Sequence, residues 1–269
     1  MYWLRYLLKE PFQALRTARD REFVKLLLKY GDAKRHSRTH VSFGKYQLEV
    51  PDVMSFLWQY KEIYADGFYL FKSDNPAPVI LDCGANVGMS LLYFKHLYPE
   101  ARITAFEAEA EIVQLLRSNL IRNKIEDIEI VPKAVWKDTD GVWFGSEEAD
   151  SSSIYSKAEK KLIPSGRLKD YIEKESSIDF LKMDIEGAEI EVLDDCKNSL
   201  AHVKNLFVEF HSYIGNPQQG LADVIRVFET NGFRYFIDTN QHRMRPFVNH
   251  QYRGNEVMDL QLNIFGWRE

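Results

Sequence analysis

Pro78-Val-Ile-Leu-Asp-Cys-Gly-Ala-Asn-Val-Gly-Met-Ser-Leu-Leu-Tyr-Phe94 contains the clearest structural signal in this sequence. Its first residues form a short apolar run, as expected for a parallel strand that is buried on both faces. Gly84, Asn86 and Gly88 follow at alternate positions, and from Met89 apolar residues recur at helical spacing. Glycine, and to a lesser degree asparagine, adopts the left-handed conformations that a tight turn needs. The stretch therefore predicts the strand, turn and helix at which a doubly wound sheet binds a nucleotide.

Two carboxylates at the ends of predicted strands indicate the kind of nucleotide. Asp82 ends the first strand, and Glu107 ends the next, Ile103–Glu107. The spacing G-x-N-x-G departs from the G-x-G-x-x-G of dinucleotide-binding sites. A carboxylate at the end of the second strand can accept hydrogen bonds from both hydroxyls of a ribose. S-adenosylmethionine suits this arrangement, because it has a ribose and a cationic sulfonium but no phosphate. For the glycines alone an ordinary strand-to-helix turn is the alternative, and Glu107 counts against it.

Length and composition favour one large α/β domain with an N-terminal extension. The formal net charge of -5 over 269 residues argues against nucleic-acid binding, which usually shows a basic excess. Cys83 and Cys196 lie in apolar or helical contexts, which suggests a reducing compartment. The sequence shows no apolar run long enough for a membrane span and no signal peptide at its N-terminus. We therefore expect a cytoplasmic protein.

Residues 1–75 are predicted to form the extension, and residues 76–269 the nucleotide-binding domain. The predicted elements of the extension are a helix over Met1–Lys9, a helix ending near Gly31, a hairpin over Val41–Val50 and a helix from Asp52 to about Gly67. Basic residues outnumber acidic ones in the first two helices, so these helices either contact an anionic membrane surface or pack against the domain or a second subunit. A subunit contact is favoured over a membrane contact by an apolar face made of Phe23, Leu26, Leu27 and Tyr30.

Beyond residue 76, predicted strands alternate with predicted helices, which implies a parallel sheet with helices on both faces. The strands are Val79–Asp82, Ile103–Glu107, Ile128–Val135, Ile178–Asp184 and Leu206–Phe210, and the helices are Met89–Tyr98, Ala110–Lys124, Ala188–Leu200 and Leu221–Asn231. Trp136–Ser165 interrupts the alternation with a predicted hairpin turn at Asp140-Gly141 and a loop at Ser151–Ser153. Phe233–Ile237 and Leu260–Trp267 are predicted to form a final strand pair.

Ionisable residues cluster in a second stretch, Asp179-Phe-Leu-Lys-Met-Asp-Ile-Glu-Gly-Ala-Glu189. Lys182, Asp184 and Glu186 alternate at the carboxyl end of a predicted strand, the edge at which open α/β sheets bind ligands. Ionisable groups are costly there unless they are paired or functional. Glu209 and His211 end the next predicted strand, so all these groups converge beside the glycine turn if the two strands are neighbours.

Four segments together resemble the FkbM family of S-adenosylmethionine-dependent methyltransferases. In chain order they are Leu-Asp-Cys-Gly-Ala-Asn-Val-Gly, Ala-Phe-Glu-Ala, Leu-Lys-Met-Asp-Ile-Glu-Gly-Ala-Glu and Val-Glu-Phe-His. The resemblance implies a class I methyltransferase sheet of the Rossmann-like type, mostly parallel with an antiparallel last strand. It also implies O-methylation, often of sugar hydroxyls in glycans or natural products. Ala108 stands where the family usually has proline, which should not disturb the contact of Glu107.

The resemblance also implies which residues hold the cofactor, S-adenosylmethionine. Gly84, Asn86 and Gly88 would line its methionine part, with Asp82 close by. Glu107 would hold the ribose. The adenine would be flanked by Ala134 and Val135, which follow the third strand.

On the acceptor side, Asp184 and Lys182 would face the transferring methyl group. A neutral hydroxyl is a poor nucleophile, so a base or a divalent cation should assist it. His211, whose side chain ordinarily titrates near neutral pH, is the first candidate base, and Asp184 is the second. Asp184 and Glu209 are candidate ligands for Mg²⁺. The ordinary alternatives are a hydrogen-bonded histidine at a strand end and a helix N-cap at Asp184.

The sequence thus predicts an O-methyltransferase that acts on a hydroxyl of a small molecule or glycan. One alternative is N- or carboxyl-methylation of a peptide or metabolite, and another is a non-catalytic nucleoside-binding module. The cluster around Lys182, Asp184 and His211 counts against the module, because binding alone does not require these groups.

Overall fold

A computed structural model describes residues 17–145, 160–213, 220–239, 247–248 and 258–268. Its α-helices are α1 (Ala18–Tyr30), α2 (Val53–Gln59), α3 (Met89–Leu97), α4 (Ala110–Arg122), α5 (Leu168–Ile172), α6 (Glu189–Cys196) and α7 (Gly220–Thr230). Its strands are β1 (Thr39–Phe43), β2 (Tyr46–Val50), β3 (Val79–Cys83), β4 (Arg102–Phe106), β5 (Ile128–Val131), β6 (Ala134–Trp136), β7 (Val142–Gly145), β8 (Lys160–Ile163), β9 (Ser165–Arg167), β10 (Ile178–Met183), β11 (Val203–Tyr213), β12 (Arg234–Asp238) and β13 (Met258–Trp267). A π-helical segment, Tyr60–Asp66, continues α2, and a 3₁₀ turn, Leu200–His202, precedes β11. The helix predicted over Met1–Lys9 and the loop predicted at Ser151–Ser153 lie outside the described residues.

The main sheet has the strand order β12-β13-β11-β10-β3-β4-β5. The strands from β11 to β5 run parallel, and β13 is antiparallel to both of its neighbours. This confirms the α/β class I sheet with its antiparallel last strand and the adjacency of β10 and β11. The chain leaves β3 towards β4 on one side and returns as β10 on the other. The carboxyl ends of β3 and β10 therefore flank the crevice in which such sheets bind ligands.

The N-terminal extension packs against the helices of the main sheet. The glycine turn between β1 and β2 confirms the predicted hairpin, and Asp52 caps α2 by accepting a hydrogen bond from the backbone N–H of Met54 at 2.7 Å. Tyr64 of the π-helical segment packs edge-on against Tyr93 of α3, with ring centroids 5.0 Å apart. Extension and sheet thus share one hydrophobic core. The domain boundary at residue 76 stays a prediction.

The apolar face of α1 packs against other residues of the same chain. Phe23, Leu26 and Leu27 are at most 3% exposed, and the Phe23 ring stacks on Tyr60. These three residues therefore pack inside the chain, which removes the reason for favouring a subunit contact over a membrane contact. Association through the N-terminal helices stays a prediction. No helix in the described ranges combines the length and hydropathy needed to cross a bilayer.

Two local predictions in the middle of the chain are also wrong. Residues 128–135 do not form one strand, because Pro132 lacks the N–H that a ladder needs and separates β5 from β6. Asp140-Gly141 is not a hairpin turn. Within the described residues β6 pairs with β9 and β7 pairs with β8, so this dipeptide joins two strands of different sheets.

Candidate functional site

The turn between β3 and α3 has the backbone that its glycines predicted. Gly84, Asn86 and Gly88 have φ values of +88°, +47° and +96°. The N–H groups of Gly84 and Ala85 donate to the carbonyl of Phe106, which joins the turn to the end of β4. A Cβ atom on Gly84 would lie 1.9 Å from the carbonyl oxygen of Asp184. Only glycine therefore lets the turn approach the end of β10 this closely.

Glu107 lies half-buried at the end of β4 and faces the turn. Its Oε2 accepts the N–H of Asn86, and its Oε1 accepts the N–H of Glu109, both at 2.9 Å. Burial raises the pKa of Glu107 to about 7, although these hydrogen bonds act to lower it. Each carboxylate oxygen can accept a further hydrogen bond. The glycine cradle and this carboxylate fit the methionine and ribose parts of S-adenosylmethionine.

Lys182 is buried beneath the turn. Its Nζ donates to the carbonyl of Gly84 at 2.7 Å and lies 3.4 Å from carboxylate oxygens of Asp82 and Asp184. Burial alone would lower the pKa of Lys182, but these carboxylates and that of Glu209 outweigh it and raise the pKa. Lys182 therefore joins the ends of β3 and β10 as an ammonium ion.

Asp82 is also fully buried. Its Oδ2 accepts a hydrogen bond from Ser90 of α3, and its Oδ1 faces the Lys182 ammonium without a hydrogen bond. The two residues predicted at the adenine edge, Ala134 and Val135, are buried in β6 just after the end of β5. They offer no side-chain hydrogen bonds, as the sequence implied.

Asp184, Glu186 and His211 come together at the ends of β10 and β11. Their ligating atoms all lie within 4.8 Å of one another. His211 is buried, its Nδ1 lies 3.0 Å from Glu189 Oε1, and its Nε2 lies 3.7 Å from Glu186 Oε2. Burial alone would lower the pKa of His211, but Glu186 and Glu189 raise it well above its ordinary value. The prediction that His211 titrates near neutral pH is therefore wrong for the ligand-free protein.

Glu209 lies beside this cluster but outside the set of three. Its carboxylate accepts a hydrogen bond from the Gln261 side chain of β13. Burial and the neighbouring Asp184 raise the pKa of Glu209 well above its ordinary value. The pairing of Asp184 with Glu209 as metal ligands was predicted, whereas the structure groups Asp184 with Glu186 and His211.

Two residues of the site carried no clear sequence signal for their roles. Glu62 comes from the π-helical segment of the extension, and its pKa rises to about 7 through burial and the nearby Asp184. Such π-helical segments recur at functional sites but have no simple sequence pattern. Glu189 was assigned only to the first turn of α6, where it lies, but it also binds His211.

Comparison with known proteins supports a methyltransferase fold. The family model described as "Methyltransferase FkbM domain" matches residues 82–235, more than half of the chain. Methyltransferase sdnD of Sordaria araneosa is 29% identical over 175 residues, covering 50% of this chain and 66% of that protein. The 2-O-methyltransferase NoeI of Sinorhizobium fredii is 24% identical over 182 residues, covering 58% of this chain and 74% of NoeI.

A solved structure of a methyltransferase FkbM from Methylobacillus flagellatus superposes with a TM-score of 0.50 at 14% identity. The match covers 80% of this chain and 53% of that structure, so the chain spans about half of that protein. At this identity the match supports the fold and nothing finer.

Proposed function

Since the chain belongs to the FkbM methyltransferase family, we propose that it is an S-adenosylmethionine-dependent O-methyltransferase whose acceptor is a hydroxyl of a sugar, glycan or natural product. The similarity to NoeI, a 2-O-methyltransferase, supports oxygen as the acceptor atom. The observation that carries the proposal is the placement of the half-buried Glu107 carboxylate and the Asp184 cluster on either side of one glycine turn.

The cofactor is held by the ends of β3 and β4. Glu107 accepts hydrogen bonds from the ribose hydroxyls, and its two backbone donors fix its orientation before the cofactor arrives. Gly84 and Gly88 allow the methionine part to lie against the backbone. Ala134 and Val135 provide an apolar surface beside the adenine.

The bound cofactor supplies an electrophilic methyl group on a sulfonium leaving group, and the protein's task is to align the acceptor with it. Asp184 is half-buried next to the turn and is placed to orient the acceptor hydroxyl or accept its proton. His211 is the second acceptor-side group. It faces the same space through Nε2 and is oriented by Glu189.

Lys182 acts as a positioning residue in this proposal. Its ammonium ion fixes the Gly84 carbonyl and the Asp184 carboxylate relative to each other, and it balances the charge of the buried Asp82. The resemblance implied that Lys182 faces the transferring methyl group. In the structure its Nζ donates to the Gly84 carbonyl and lies 3.4 Å from carboxylate oxygens of Asp82 and Asp184, which supports the positioning role.

Transfer of labelled methyl groups tests the proposal. The full chain is incubated with methyl-labelled S-adenosylmethionine and matched panels of sugars, amines and carboxylic acids. We expect label on a hydroxyl-bearing acceptor together with formation of S-adenosylhomocysteine. Label only on amines or carboxylates would support the N- or carboxyl-methyltransferase alternative. Tight cofactor binding without transfer to any panel member would favour a nucleoside-binding module.

We also propose where the protein acts and what its N-terminal region contacts. The sequence features support a cytoplasmic protein with no nucleic-acid partner. The basic N-terminal region supports peripheral contact with an anionic membrane or association with a second copy through the residues before Thr17. Two measurements on the full chain and on a chain lacking residues 1–16 separate membrane contact from self-association. Vesicle co-sedimentation tests membrane contact, and light scattering tests self-association.

A further inference from the structure

The geometry points to a divalent-cation site formed by Asp184, Glu186 and His211, at which an oxygen of the acceptor docks beside the transferring methyl group. The site deepens the proposed function and rests on it for the identity of the acceptor. Its ligating atoms, two carboxylate oxygens and one imidazole nitrogen, lie within 4.8 Å of one another. This spacing allows one ion to contact all three after small side-chain shifts, since metal–ligand bonds measure about 2.0–2.4 Å.

His211 is oriented as a metal ligand would be. Its side chain is 2% exposed, and its Nδ1 lies 3.0 Å from Glu189 Oε1. Because a carboxylate accepts hydrogen bonds, this contact assigns one ring proton to Nδ1, and a cation bound at Nε2 would take the place of the second ring proton. The Nε2 atom lies 3.7 Å from Glu186 Oε2, which is beyond hydrogen-bond distance. Metal-binding histidines commonly donate their other ring nitrogen to a carboxylate in this way.

Glu189 is itself held in place. Its side chain is fully buried, and Oε1 also accepts the backbone N–H groups of Gly187 at 3.1 Å and Ile185 at 3.3 Å. The orientation of the imidazole is thus set by the start of α6. A histidine that served only to fill the core would not require a buried carboxylate fixed by two backbone donors.

The ligand set and its surroundings indicate the kind of ion. Two carboxylates and one imidazole suit Mn²⁺ better than Mg²⁺, which prefers oxygen ligands alone. The side chains of Asp184 and Glu186 are 24% and 34% exposed, so the ion can enter from solvent. Three protein ligands leave coordination positions open for the acceptor.

The site lies next to the reacting atoms of the proposed transfer. The N–H of Asp184 donates to the carbonyl of Cys83, directly before the glycine turn, at 3.1 Å. A hydroxyl docked on the cation becomes more acidic and loses its proton to water. Its oxygen then forms the bond to the methyl carbon, and the carbon–sulfur bond breaks with its electron pair moving to sulfur. The products are a methyl ether and S-adenosylhomocysteine.

Manganese binding tests the site without relying on turnover. The EDTA-treated full chain is titrated with Mn²⁺ in the presence of S-adenosylhomocysteine, and electron paramagnetic resonance measures the free ion. We expect one bound Mn²⁺ per chain, weaker competition by Mg²⁺, and at least tenfold weaker Mn²⁺ binding in Glu186→Gln and His211→Gln. Glu186→Gln is the decisive variant, because the Glu186 side chain is 34% exposed and glutamine keeps its size and can still accept the hydrogen bond from Tyr213. Glu209→Gln is the matched control and should retain wild-type affinity for Mn²⁺.

Several outcomes would overturn the site. One is the absence of Mn²⁺ binding at 1 mM, roughly the Kd of the weakest protein cation sites. Another is a wild-type Mn²⁺ affinity in Glu186→Gln, and a third is loss of Mn²⁺ binding in Glu209→Gln but in neither ligand variant. Methyl transfer at full rate in EDTA would also refute the cation site while leaving the O-methyltransferase proposal standing. Mn²⁺ binding that depends on Glu186, without methyl transfer to any hydroxyl, would support the cation site and refute the O-methyltransferase proposal.

Discussion

Replacement of Glu107 should weaken cofactor binding more than any other single change at the end of β4. Its carboxylate oxygens accept the N–H groups of Asn86 and Glu109 and face the turn that we propose as the site of the methionine part. Loss of a charged hydrogen-bond acceptor costs about 1.5–3 kcal/mol. Glu107→Ala should therefore raise the Kd for S-adenosylmethionine by roughly 10- to 150-fold.

Isothermal titration calorimetry measures this difference directly. Glu107→Gln serves as an isosteric variant, since it keeps the side-chain volume but loses the charge and one acceptor oxygen. Glu111→Gln is the control, because this carboxylate lies beyond Glu107 in the first turn of α4 and is 83% exposed. Equal affinities for wild type, Glu107→Ala and Glu111→Gln would refute the assignment of Glu107 to the ribose.

The same residue predicts a pH dependence. Burial raises the pKa of Glu107 to about 7 in the ligand-free protein, and hydrogen bonds from the ribose hydroxyls favour the ionised carboxylate. Binding should therefore release protons below pH 7, and affinity should fall as the pH drops, by up to about tenfold per unit. Calorimetry in two buffers of different ionisation enthalpy counts these protons. A pH-independent Kd between 5.5 and 8 in the wild type, with no proton release, would contradict this reasoning.

Three further changes probe the rest of the site. Gly84→Ala should abolish cofactor binding and lower the Tm strongly, because its Cβ would lie 1.9 Å from a backbone oxygen. Gly232→Ala is the control. Gly232 also has a positive φ, +71°, but open space surrounds it, so this change should lower the free energy of unfolding by only about 1–2 kcal/mol. Lys182→Met should destabilise the fold by about 3–5 kcal/mol in urea unfolding, because it leaves the buried Asp82 charge unpaired, and adding Asp82→Asn should restore part of that loss. If the double variant is no more stable than Lys182→Met, the ion-pair explanation is wrong. His211→Ala should lower kcat by roughly 10²–10⁴-fold at unchanged cofactor Kd, and near-normal turnover would remove His211 from the acceptor side.

Backbone requirements explain why the glycine turn and the strand before Glu107 could be predicted from the sequence. Gly84, Asn86 and Gly88 must adopt positive φ for β3 to turn into α3, so their spacing is visible in the chain itself. Glu107 follows a short apolar run, which favours a buried strand over a helix. Parallel strands then place both segments at one edge of the sheet without any knowledge of packing.

The acceptor side depends on contacts between distant segments, which the sequence does not encode locally. Glu62 belongs to a π-helical segment of the extension, and Gln261 contacts Glu209 from the neighbouring antiparallel strand, β13. Glu186 and Glu189 raise the pKa of His211 well above its ordinary value. The sequence could not predict this shift, because these carboxylates come next to the imidazole only in the fold.

A crystal structure of the full chain with S-adenosylhomocysteine would show the cofactor site directly. We expect both ribose hydroxyls to donate to Glu107, the amino-acid part to lie along Gly84 and Gly88, and the sulfur to face Asp184. A nucleoside bound with its ribose away from Glu107, or with its sulfur turned away from the Asp184 side of the turn, would contradict the proposed site.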